Sequence, residues 1–394
     1  MNSPFAYTPT LPVIVTPTSV EEAITLLTDP ASANRPLLFR GGGTKWDAGH
    51  RAFSEASSNP LIISTAKLTG ILDYEPGELT ITVRAGTPMA EVEAALAEHG
   101  QYLPFDPLFS TMGATVGGTI AAGLTGPRRM RYGGLRDFVI GIEYLNAQGQ
   151  RVRSGGKVVK NAAGYDFSKL FCGSMGSLGL ITQVSFKVFP TPPARQTLLA
   201  FLPTITEVKA AFRALQHSPA EVSAVDAWPM GTLPDAPDPG AGYTIAVLIE
   251  GDPASLEGRM NAVRGLLDST ATLQINNADD QTKLWTTLRD LVWIGDAETV
   301  VKLYLSSTRV TDLDAMLSLH GARRVYSVAG NVAWAAFSGD PARLSSALAA
   351  NEISAAVWRS PIAAPDVLPA SPSAAMIERV KRAFDPANRF YRSA

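Results

Sequence analysis

Cysteine is nearly absent from this chain of 394 residues, in which Cys172 is the only one. A disulfide within the chain is therefore impossible. An iron–sulfur cluster held by this chain alone is excluded as well, because such a cluster needs several cysteine thiolates. Histidine is also scarce, with four residues in the sequence, and this limits the candidates for a general base or a metal ligand.

Long apolar runs and an excess of charge of one sign are missing too. No stretch of about 18 apolar residues is present, so the sequence predicts no transmembrane helix. The formal net charge of −2 gives no general attraction to nucleic acid or to an anionic membrane. The N-terminal residues 1–15 lack a basic region followed by an apolar run, so they do not resemble a signal peptide. We therefore expect a cytoplasmic protein that does not bind nucleic acid.

The chain does have the composition of a folded protein, 46% apolar and 18% charged, over a length that favours two domains. Glycine is concentrated between residues 110 and 190, where β-type segments such as 138–145 and 180–188 separate the glycines. A linker would be polar and would lack such segments. Because glycine lets a backbone approach a neighbour closely, this stretch predicts a binding site for a large, flat and extended ligand.

A second glycine-rich segment, RGGGTK at residues 40–45, follows a predicted strand at 37–39. A strand at 13–15 and a helix at 20–28 precede it. The segment matches neither the P-loop pattern nor the GxGxxG pattern of dinucleotide-binding folds. Consecutive backbone N–H groups in a glycine turn can still hold a pyrophosphate, with Thr44 donating its hydroxyl. A tight surface turn is an equally good interpretation of these six residues alone.

Four arginines lie close together after the central glycines, at Arg128, Arg129, Arg131 and Arg136. Arginine pairs well with phosphate, and Arg136 is the best candidate for that role because it adjoins Asp137 and a predicted strand. For the group as a whole we favour a solvated face or a contact with another subunit.

The character of the sequence changes after the segment PTPP at 190–193, and we place a domain boundary there. Beyond it, strands and helices alternate in two similar halves, which predicts an α+β domain of ferredoxin-like type. An amphipathic helix is predicted over 371–384 near the C-terminus. Its buried side is predicted to carry Ala375, Met376, Val380 and Phe384.

Several motifs then occur in a recognisable order along the chain. They are RGGGTK, PFDP, GATVGGTIAAGLTGPRR, RDFVIG, KVVKNAAGYDFSKLFCGSMGSLGLIT and a terminal FDP. In this order they resemble the FAD-binding domain of the vanillyl-alcohol oxidase, or PCMH, type, and most closely the FAD-binding E subunits of bacterial glycolate oxidase. The resemblance is dense over residues 12–192, returns at 371–386 and is weak in the second domain.

The resemblance implies an α+β fold, with a PCMH-type FAD-binding domain of two α/β subdomains and a ferredoxin-like α+β cap domain. The corresponding bounds are 1–192 for the FAD-binding domain, 193–368 for the cap or substrate-type domain, and 369–394 for a C-terminal helix and tail that return to the first domain. FAD is the implied cofactor.

The implied cofactor-binding residues fall into three groups along the FAD molecule. The pyrophosphate loop comprises Arg40, Gly41, Gly42, Gly43, Thr44 and Lys45. The flavin and ribityl part is lined by Thr115, Gly117, Gly118, Ala121 and Gly123, with Gly113 beside them. The adenosine part has Asp137 and Ile181, with Arg136 as the phosphate candidate named above. A core strand position is the alternative for Ile181, and for Lys160, Asn161, Tyr165 and Asp166 we favour helix initiation and packing.

Two departures from the family bear on the chemistry. The pyrophosphate loop has no histidine or cysteine, so we expect noncovalent FAD, with a tether at the nearest histidine, His50, as the alternative. Relatives that oxidise 2-hydroxy acids carry a histidine cluster in the second domain, whereas the corresponding VYSVAGNVAWAAF segment has none. We therefore predict no metal site and assign no catalytic residue. A cation for a substrate carboxylate could come from Arg323, Arg324 or Arg359.

Two functions follow from the resemblance, and we favour the first. In it, the chain is an FAD-binding subunit of glycolate oxidase that takes part in oxidising glycolate to glyoxylate. Its implied partners are a D-type flavin subunit and an F-type iron–sulfur subunit that receives the electrons, with a peripheral location at the inner membrane through these partners. The alternative is a stand-alone FAD-dependent 2-hydroxy-acid dehydrogenase or a flavin-binding scaffold without catalysis.

Overall fold

The computed structural model describes residues 14–390 apart from 33–34, 46–59, 157–165, 235, 238–239, 268–270, 297, 363, 365 and 370–372. The chain divides into two compact units. Unit 1 comprises residues 1–125, 134–191 and 370–394, and unit 2 comprises residues 126–133 and 192–369. The domain bounds expected from the sequence lie within one residue of the divisions near 192 and 369, but the assignment of 126–133 to unit 2 was not predicted.

The secondary structure alternates short strands and helices throughout. The strands are Ile14–Val15 (β1), Leu37–Arg40 (β2), Leu61–Ser64 (β3), Ile71–Glu75 (β4), Thr80–Arg84 (β5), Gln101–Tyr102 (β6), Val139–Leu145 (β7), Arg151–Gly155 (β8), Leu180–Lys187 (β9), Phe189–Pro190 (β10), Ala194–Leu202 (β11), Ala224–Pro229 (β12), Tyr243–Gly251 (β13), Ala271–Ile275 (β14), Thr299–Tyr304 (β15), Arg323–Ser327 (β16), Val332–Phe337 (β17), Ala355–Arg359 (β18) and Val367–Leu368 (β19). The helices are Val20–Thr28 (α1), Met89–Ala97 (α2), Val116–Ala122 (α3), Arg129–Tyr132 (α4), Phe167–Phe171 (α5), Ile205–Gln216 (α6), Pro253–Leu266 (α7), Ala278–Arg289 (α8), Val310–Leu319 (α9), Pro341–Ala350 (α10) and Ala374–Phe384 (α11). In the part of the chain that the structure describes, no helix is long and apolar enough to span a bilayer.

Unit 1 begins with a parallel sheet of three strands in the order β1-β3-β2. Helix α1 packs on this sheet through Val20, Ala23 and Leu27, which are buried in one cluster with Leu37 and Ile63. The helix starts where predicted, because the Ser19 side chain accepts a hydrogen bond from the Glu22 amide. Strand β2 lies at one edge of this sheet, and its C-terminal end leads directly into the RGGGTK segment.

The second layer of unit 1 is an antiparallel sheet in the order β4-β5-β9-β7-β8. Helix α2 follows β5 and buries Met89, Val92 and Leu96, as the sequence predicts. It stops at Gly100, whose φ of +63 is one that glycine adopts easily. A parallel and an antiparallel subdomain together give the two α/β parts expected of the FAD-binding domain.

Unit 2 is built on one antiparallel sheet of nine strands, in the order β14-β11-β13-β12-β16-β17-β15-β18-β19. Two copies of a β-α-β-β-α-β unit make up its first eight strands, and β12 pairs with β16 where the copies meet. Helices α6, α7, α9 and α10 share one apolar cluster with the facing strand residues. The ferredoxin-like prediction is therefore confirmed.

The C-terminal helix α11 differs from its prediction. Met376 is 58% exposed and Ala375 is also exposed, so the predicted apolar side is wrong at both positions. Lys381 is buried instead, and its Nζ lies 3.3 Å from Oδ2 of the fully buried Asp385. The Phe390 amide donates to the same carboxylate at 2.6 Å. A buried ion pair therefore anchors this helix. The spacing of apolar residues in the sequence could not have predicted it.

Candidate functional site

A cleft in unit 1 opens where β2 ends. Its cavity volume is about 90 Å³, and the cleft is partly open to solvent. Its walls are the glycine loop after β2, the residues of α3, and the segment that leads into β9. The lining residues are Phe39, Arg40, Gly41, Gly42, Gly43, Thr44, Lys45, Thr65, Thr115, Gly117, Gly118, Ala121, Ala122, Met175, Gly176, Gly179, Leu180 and Ile181.

The glycine loop is pressed against the segment that precedes α3. A Cβ atom on Gly42 would lie 1.7 Å from the carbonyl oxygen of Gly113, and one on Gly41 would lie 2.1 Å from Oγ1 of Thr115. Gly43 has a φ of +76, in the left-handed region. The three glycines are therefore required by contact and by conformation, which a simple surface turn would not require.

The loop leaves backbone donors available on the wall of the cleft. Across the described ranges, the amides of Gly41, Gly42 and Gly43 donate to no protein acceptor. Lys45 lies beside them, 9% exposed, and its Nζ donates to Thr44 Oγ1 at 3.0 Å. Successive amides with a cation nearby form a concave donor site for an anion. These residues fit the pyrophosphate of a dinucleotide cofactor such as FAD.

Helix α3 supplies a wall of small residues. The Thr115 side chain caps the helix by accepting from the Gly118 amide at 3.4 Å. The Gly117 amide donates to Ala85 O at 2.7 Å, and a Cβ on Gly117 would lie 2.9 Å from Ala85 Cβ. Gly118 and Ala121 are left partly exposed on the cleft. Backbone and methyl groups line this wall, so a flat ligand can approach it closely.

Most of the residues predicted from the sequence meet in this one cleft. They are Arg40, Gly41, Gly42, Gly43, Thr44, Lys45, Thr115, Gly117, Gly118, Ala121 and Ile181. Gly113 lies behind the loop, in contact with Gly42, and Gly123 ends α3 with a φ of +65.

The remaining predicted contacts are placed elsewhere or not described. Arg136 and Asp137 are exposed in the turn before β7, outside the cleft lining, and the Asp137 carboxylate accepts from the Gly134 amide at 2.8 Å. Their contact with the adenosine part of FAD stays a prediction. Asp166 caps α5 by accepting from the Lys169 amide, in line with the helix-initiating role. His50, Lys160, Asn161 and Tyr165 lie outside the described residues.

Sequence reasoning missed part of the lining. Phe39 precedes the glycine loop, Thr65 follows β3, and Met175, Gly176 and Gly179 precede β9. The sequence did carry a signal for four of them, because Thr65 directly follows the strand that runs parallel to β2, and Met175, Gly176 and Gly179 belong to the GSMGSLG segment. The sequence gives no signal that the end of β3 and the segment before β9 line the same cleft.

Two arginines of the group at 128–136 form ion pairs with glutamates of unit 2. Arg128 donates from Nε and Nη2 to the Glu250 carboxylate at 2.8–3.1 Å, and Glu250 is 3% exposed on its side chain. Arg131 pairs with the more exposed Glu221 at 3.1 Å. These contacts tie residues 126–133 to unit 2. They correct the expectation of a solvated face or a subunit contact at Arg128, whereas Arg131 is exposed, in line with a solvated face.

The arginines proposed as substrate cations are all engaged in holding the fold. Arg323 binds Glu298 and donates to the Trp293 carbonyl oxygen. Arg324 donates from Nε to Asp314 at 2.6 Å, and Arg359 donates to the carbonyl oxygen of Glu298 at 3.0 Å. No role in carboxylate recognition is indicated for them.

Lys302 is an unusual cation that the sequence reasoning missed. It is 2% exposed, in the middle of β15, on the sheet face opposite the helices that pack on Val301 and Leu303. Its Nζ lies 4.8 Å from the Tyr304 ring and 5.3 Å from the Trp334 ring. Burial lowers the pKa of Lys302 below its ordinary value of 10.5. No carboxylate among the described residues lies within ion-pair distance of it.

The histidines of unit 2 have structural surroundings. His217 and His320 each place Nδ1 against a carbonyl oxygen one turn earlier in their own helix, at 2.8 Å and 2.9 Å. Within the described ranges, no three His, Cys, Asp or Glu side chains are grouped so that they could hold a metal ion.

Comparison with protein families places both units. Residues 11–155 match a family described as FAD binding domain, and residues 191–325 match one described as FAD linked oxidases, C-terminal domain. The predicted fold class and the predicted cofactor, FAD, are confirmed by these matches.

Curated relatives are similar to part of the chain. Glycolate oxidase subunit GlcE of Escherichia coli is 42% identical over 167 residues, 42% of this chain and 46% of that protein. Glycolate oxidase subunit GlcD of Bacillus subtilis is 34% identical over 192 residues, 49% of this chain and 40% of that protein. D-2-hydroxyglutarate dehydrogenase of Xanthomonas citri is 32% identical over 212 residues, 53% of this chain and 44% of that protein. The match therefore spans less than half the length of each relative.

A solved structure extends the likeness over nearly the whole chain. Alkyldihydroxyacetonephosphate synthase superposes with a TM-score of 0.69, covering 96% of this chain and 75% of that chain. The sequence identity is 17%, so this likeness shows the fold alone.

Proposed function

We propose that this chain is the FAD-carrying subunit of a complex that oxidises glycolate to glyoxylate, because its residues 11–155 and 191–325 match the FAD binding domain family and the C-terminal domain family of FAD linked oxidases. The observation that carries the proposal is the convergence of the predicted FAD residues in one cleft of unit 1. The likeness to two glycolate oxidase subunits supports the choice of glycolate as the 2-hydroxy acid.

In this proposal, FAD supplies the acceptor for the two electrons taken from the substrate. The chain's own part is to hold and orient the cofactor. The amides of Gly41, Gly42 and Gly43 would donate to the pyrophosphate, and Lys45 would offset its charge. The small residues of α3 would let the flat part of the ligand lie against backbone, and Ile181 would supply an apolar wall.

The electrons need an outlet, and the cysteine content decides where a cluster could reside. Because Cys172 is the only cysteine, an iron–sulfur cluster would have to be bound by another chain. We therefore include an F-type iron–sulfur subunit and a D-type flavin subunit as partners. Attachment to these partners at the cytoplasmic face of the inner membrane is part of the same proposal.

The test is reconstitution with a dye as electron acceptor. The purified chain is expected to carry about one FAD per chain that acid precipitation releases, and to show no glycolate-dependent dye reduction alone. Adding the D-type and F-type subunits is expected to start turnover, and omitting this chain to stop it. Turnover in a complex that lacks this chain would contradict the proposal.

The likeness to D-2-hydroxyglutarate dehydrogenase favours a second candidate, a stand-alone FAD-dependent 2-hydroxy-acid dehydrogenase. For this candidate, the purified chain alone reduces the dye when glycolate or D-2-hydroxyglutarate is supplied. A chain that is inactive alone rules this candidate out.

A further inference from the structure

A second cleft in unit 1 is strongly polar. It has a cavity volume of about 230 Å³ and lies between the start of α1, the loop after β3 and one face of the five-stranded sheet. Six charged side chains line it, namely Glu21, Lys67, Arg84, Glu143, Arg151 and Arg153. Four cations against two carboxylates give the cleft a net charge of +2, in a chain whose own net charge is −2.

The cleft floor is a row of polar side chains that crosses four adjacent strands. Arg84 on β5 pairs in register with Gln183 on β9, Gln183 pairs with Glu143 on β7, and Glu143 pairs with Arg153 on β8. Residues that face each other across paired strands share one side of a sheet. At about 4.8 Å per strand, the row is about 14 Å long. Four successive strands thus place polar residues on the same side.

The two carboxylates of the cleft are already neutralised. Glu143 is 4% exposed and accepts from Arg153 Nε at 2.7 Å and from Thr182 Oγ1 at 2.9 Å. Glu21 accepts from Arg151 Nη2 at 2.6 Å. Arg151 and Arg153 are therefore matched by Glu21 and Glu143, and these four residues need no further counter-ion.

Among the residues that the structure describes, Lys67 and Arg84 are the two cations of this cleft that form no ion pair. In the part of the chain that is described, neither side chain lies within 4.0 Å of a carboxylate oxygen, and the partly buried Arg84 stands at the end of the polar row. Both line the same cleft, in which the carboxylates of Glu21 and Glu143 accept hydrogen bonds from Arg151 and Arg153. Two cations on one concave wall attract an anion more strongly than either does on an open surface.

We propose that this cleft binds a compact divalent anion, either a phosphate group or a small dicarboxylate, through Lys67 and Arg84. Arginine offers a planar pair of donors for two oxygens, and lysine adds a compact charge beside it. The ligand is a species other than FAD, since its cleft shares no lining residue with the glycine-loop cleft. The inference stands independently of the function proposed above.

The test is calorimetric titration of the full chain with inorganic phosphate and, separately, with malonate, at constant ionic strength set by chloride. The chain is supplied with excess FAD, so that the glycine loop is occupied. We expect saturable binding of at least one of the two anions. Arg84→Gln and Lys67→Gln should each weaken it about tenfold or more. Glu21→Gln removes a negative charge from the rim and should tighten it.

Arg343→Gln is the control, because Arg343 is an exposed arginine of unit 2 with no ion pair to any described residue. It should bind as the unaltered chain does. Binding of phosphate alone assigns a phosphate-bearing ligand, and binding of malonate alone assigns a dicarboxylate. No saturable binding of either anion would overturn the proposal, and so would equal weakening by Arg343→Gln. If Arg84→Gln fails to fold, the opposite effect expected of Glu21→Gln still decides.

Discussion

Replacing Gly42 with alanine tests the glycine loop as the holder of the FAD pyrophosphate. The added Cβ would lie 1.7 Å from the Gly113 carbonyl oxygen, a backbone atom that cannot rotate away. Ordinary contact begins at 3.4 Å, so the loop or its neighbour has to move by about 1.7 Å. A shift of that size carries an amide–phosphate hydrogen bond from about 2.9 Å past the useful limit of about 3.2 Å.

The size of the effect follows from the number of bonds lost. A hydrogen bond to a charged group contributes about 1.5–3 kcal/mol, so losing one weakens FAD binding by about 10- to 100-fold. Gly41→Ala should cost less. Its added Cβ meets Thr115 Oγ1 at 2.1 Å, and that hydroxyl belongs to a side chain that can change rotamer.

The assay is fluorescence titration of FAD into the apo chain, with thermal unfolding recorded alongside. Gly77→Ala is the matched control, because a Cβ there meets no atom within 4 Å. The unaltered chain and Gly77→Ala are expected to bind FAD equally tightly, Gly41→Ala less tightly, and Gly42→Ala least tightly. Unchanged FAD affinity in a folded Gly42→Ala chain would refute the assignment of this loop to the pyrophosphate.

Three further predictions concern buried charges and the thiol. Burial lowers the pKa of Lys302 in the folded chain, so its ammonium form costs folding free energy near neutral pH and less as the pH rises toward 10.5. Lys302→Met should therefore raise Tm more at neutral pH than at high pH, and the reverse order would contradict this. Arg128→Ala leaves the buried Glu250 unpaired and should lower the free energy of unfolding in urea by about 3 kcal/mol, whereas Arg131→Ala, from an exposed pair, should cost less than about 1 kcal/mol. Equal losses of unfolding free energy in Arg128→Ala and Arg131→Ala would show that burial of the paired carboxylate does not determine the cost. Burial raises the pKa of Cys172 to about 12, so iodoacetamide at mildly alkaline pH should alkylate the folded chain much more slowly than the urea-unfolded chain, as followed by mass spectrometry.

Much of the fold was predictable because local signals agreed with the final packing. The N-cap at Ser19 and the glycine stop at Gly100 are short-range chemistry, and α1 and α2 formed where these signals placed them. The repeated strand–helix order of unit 2 predicted its ferredoxin-like halves. The pairing of β12 with β16, which joins the halves into one sheet, has no local signal, because the paired residues Ala227 and Tyr326 lie far apart in the chain.

The site was predicted where glycine patterns carry physical meaning. The RGGGTK loop and the GATVGG segment were identified separately, and the structure shows why both need glycine, since Gly42 packs on Gly113. The burial of Lys302 was not predictable, because a single lysine in a strand carries no local signal of it. The pairing of Arg128 with Glu250 was equally hidden, since it depends on residues 126–133 belonging to unit 2.

The most direct test of the central claim is a visible spectrum of the purified chain, recorded without air before and after glycolate is added. An FAD-carrying subunit that relies on its partners should show the bands of oxidised flavin, keep them when glycolate is added, and lose them only when the D-type and F-type subunits are supplied. Bleaching of the bands by glycolate in the chain alone would contradict the claim of dependence on partners. The absence of flavin bands even after FAD is added would contradict the claim that this chain carries the cofactor.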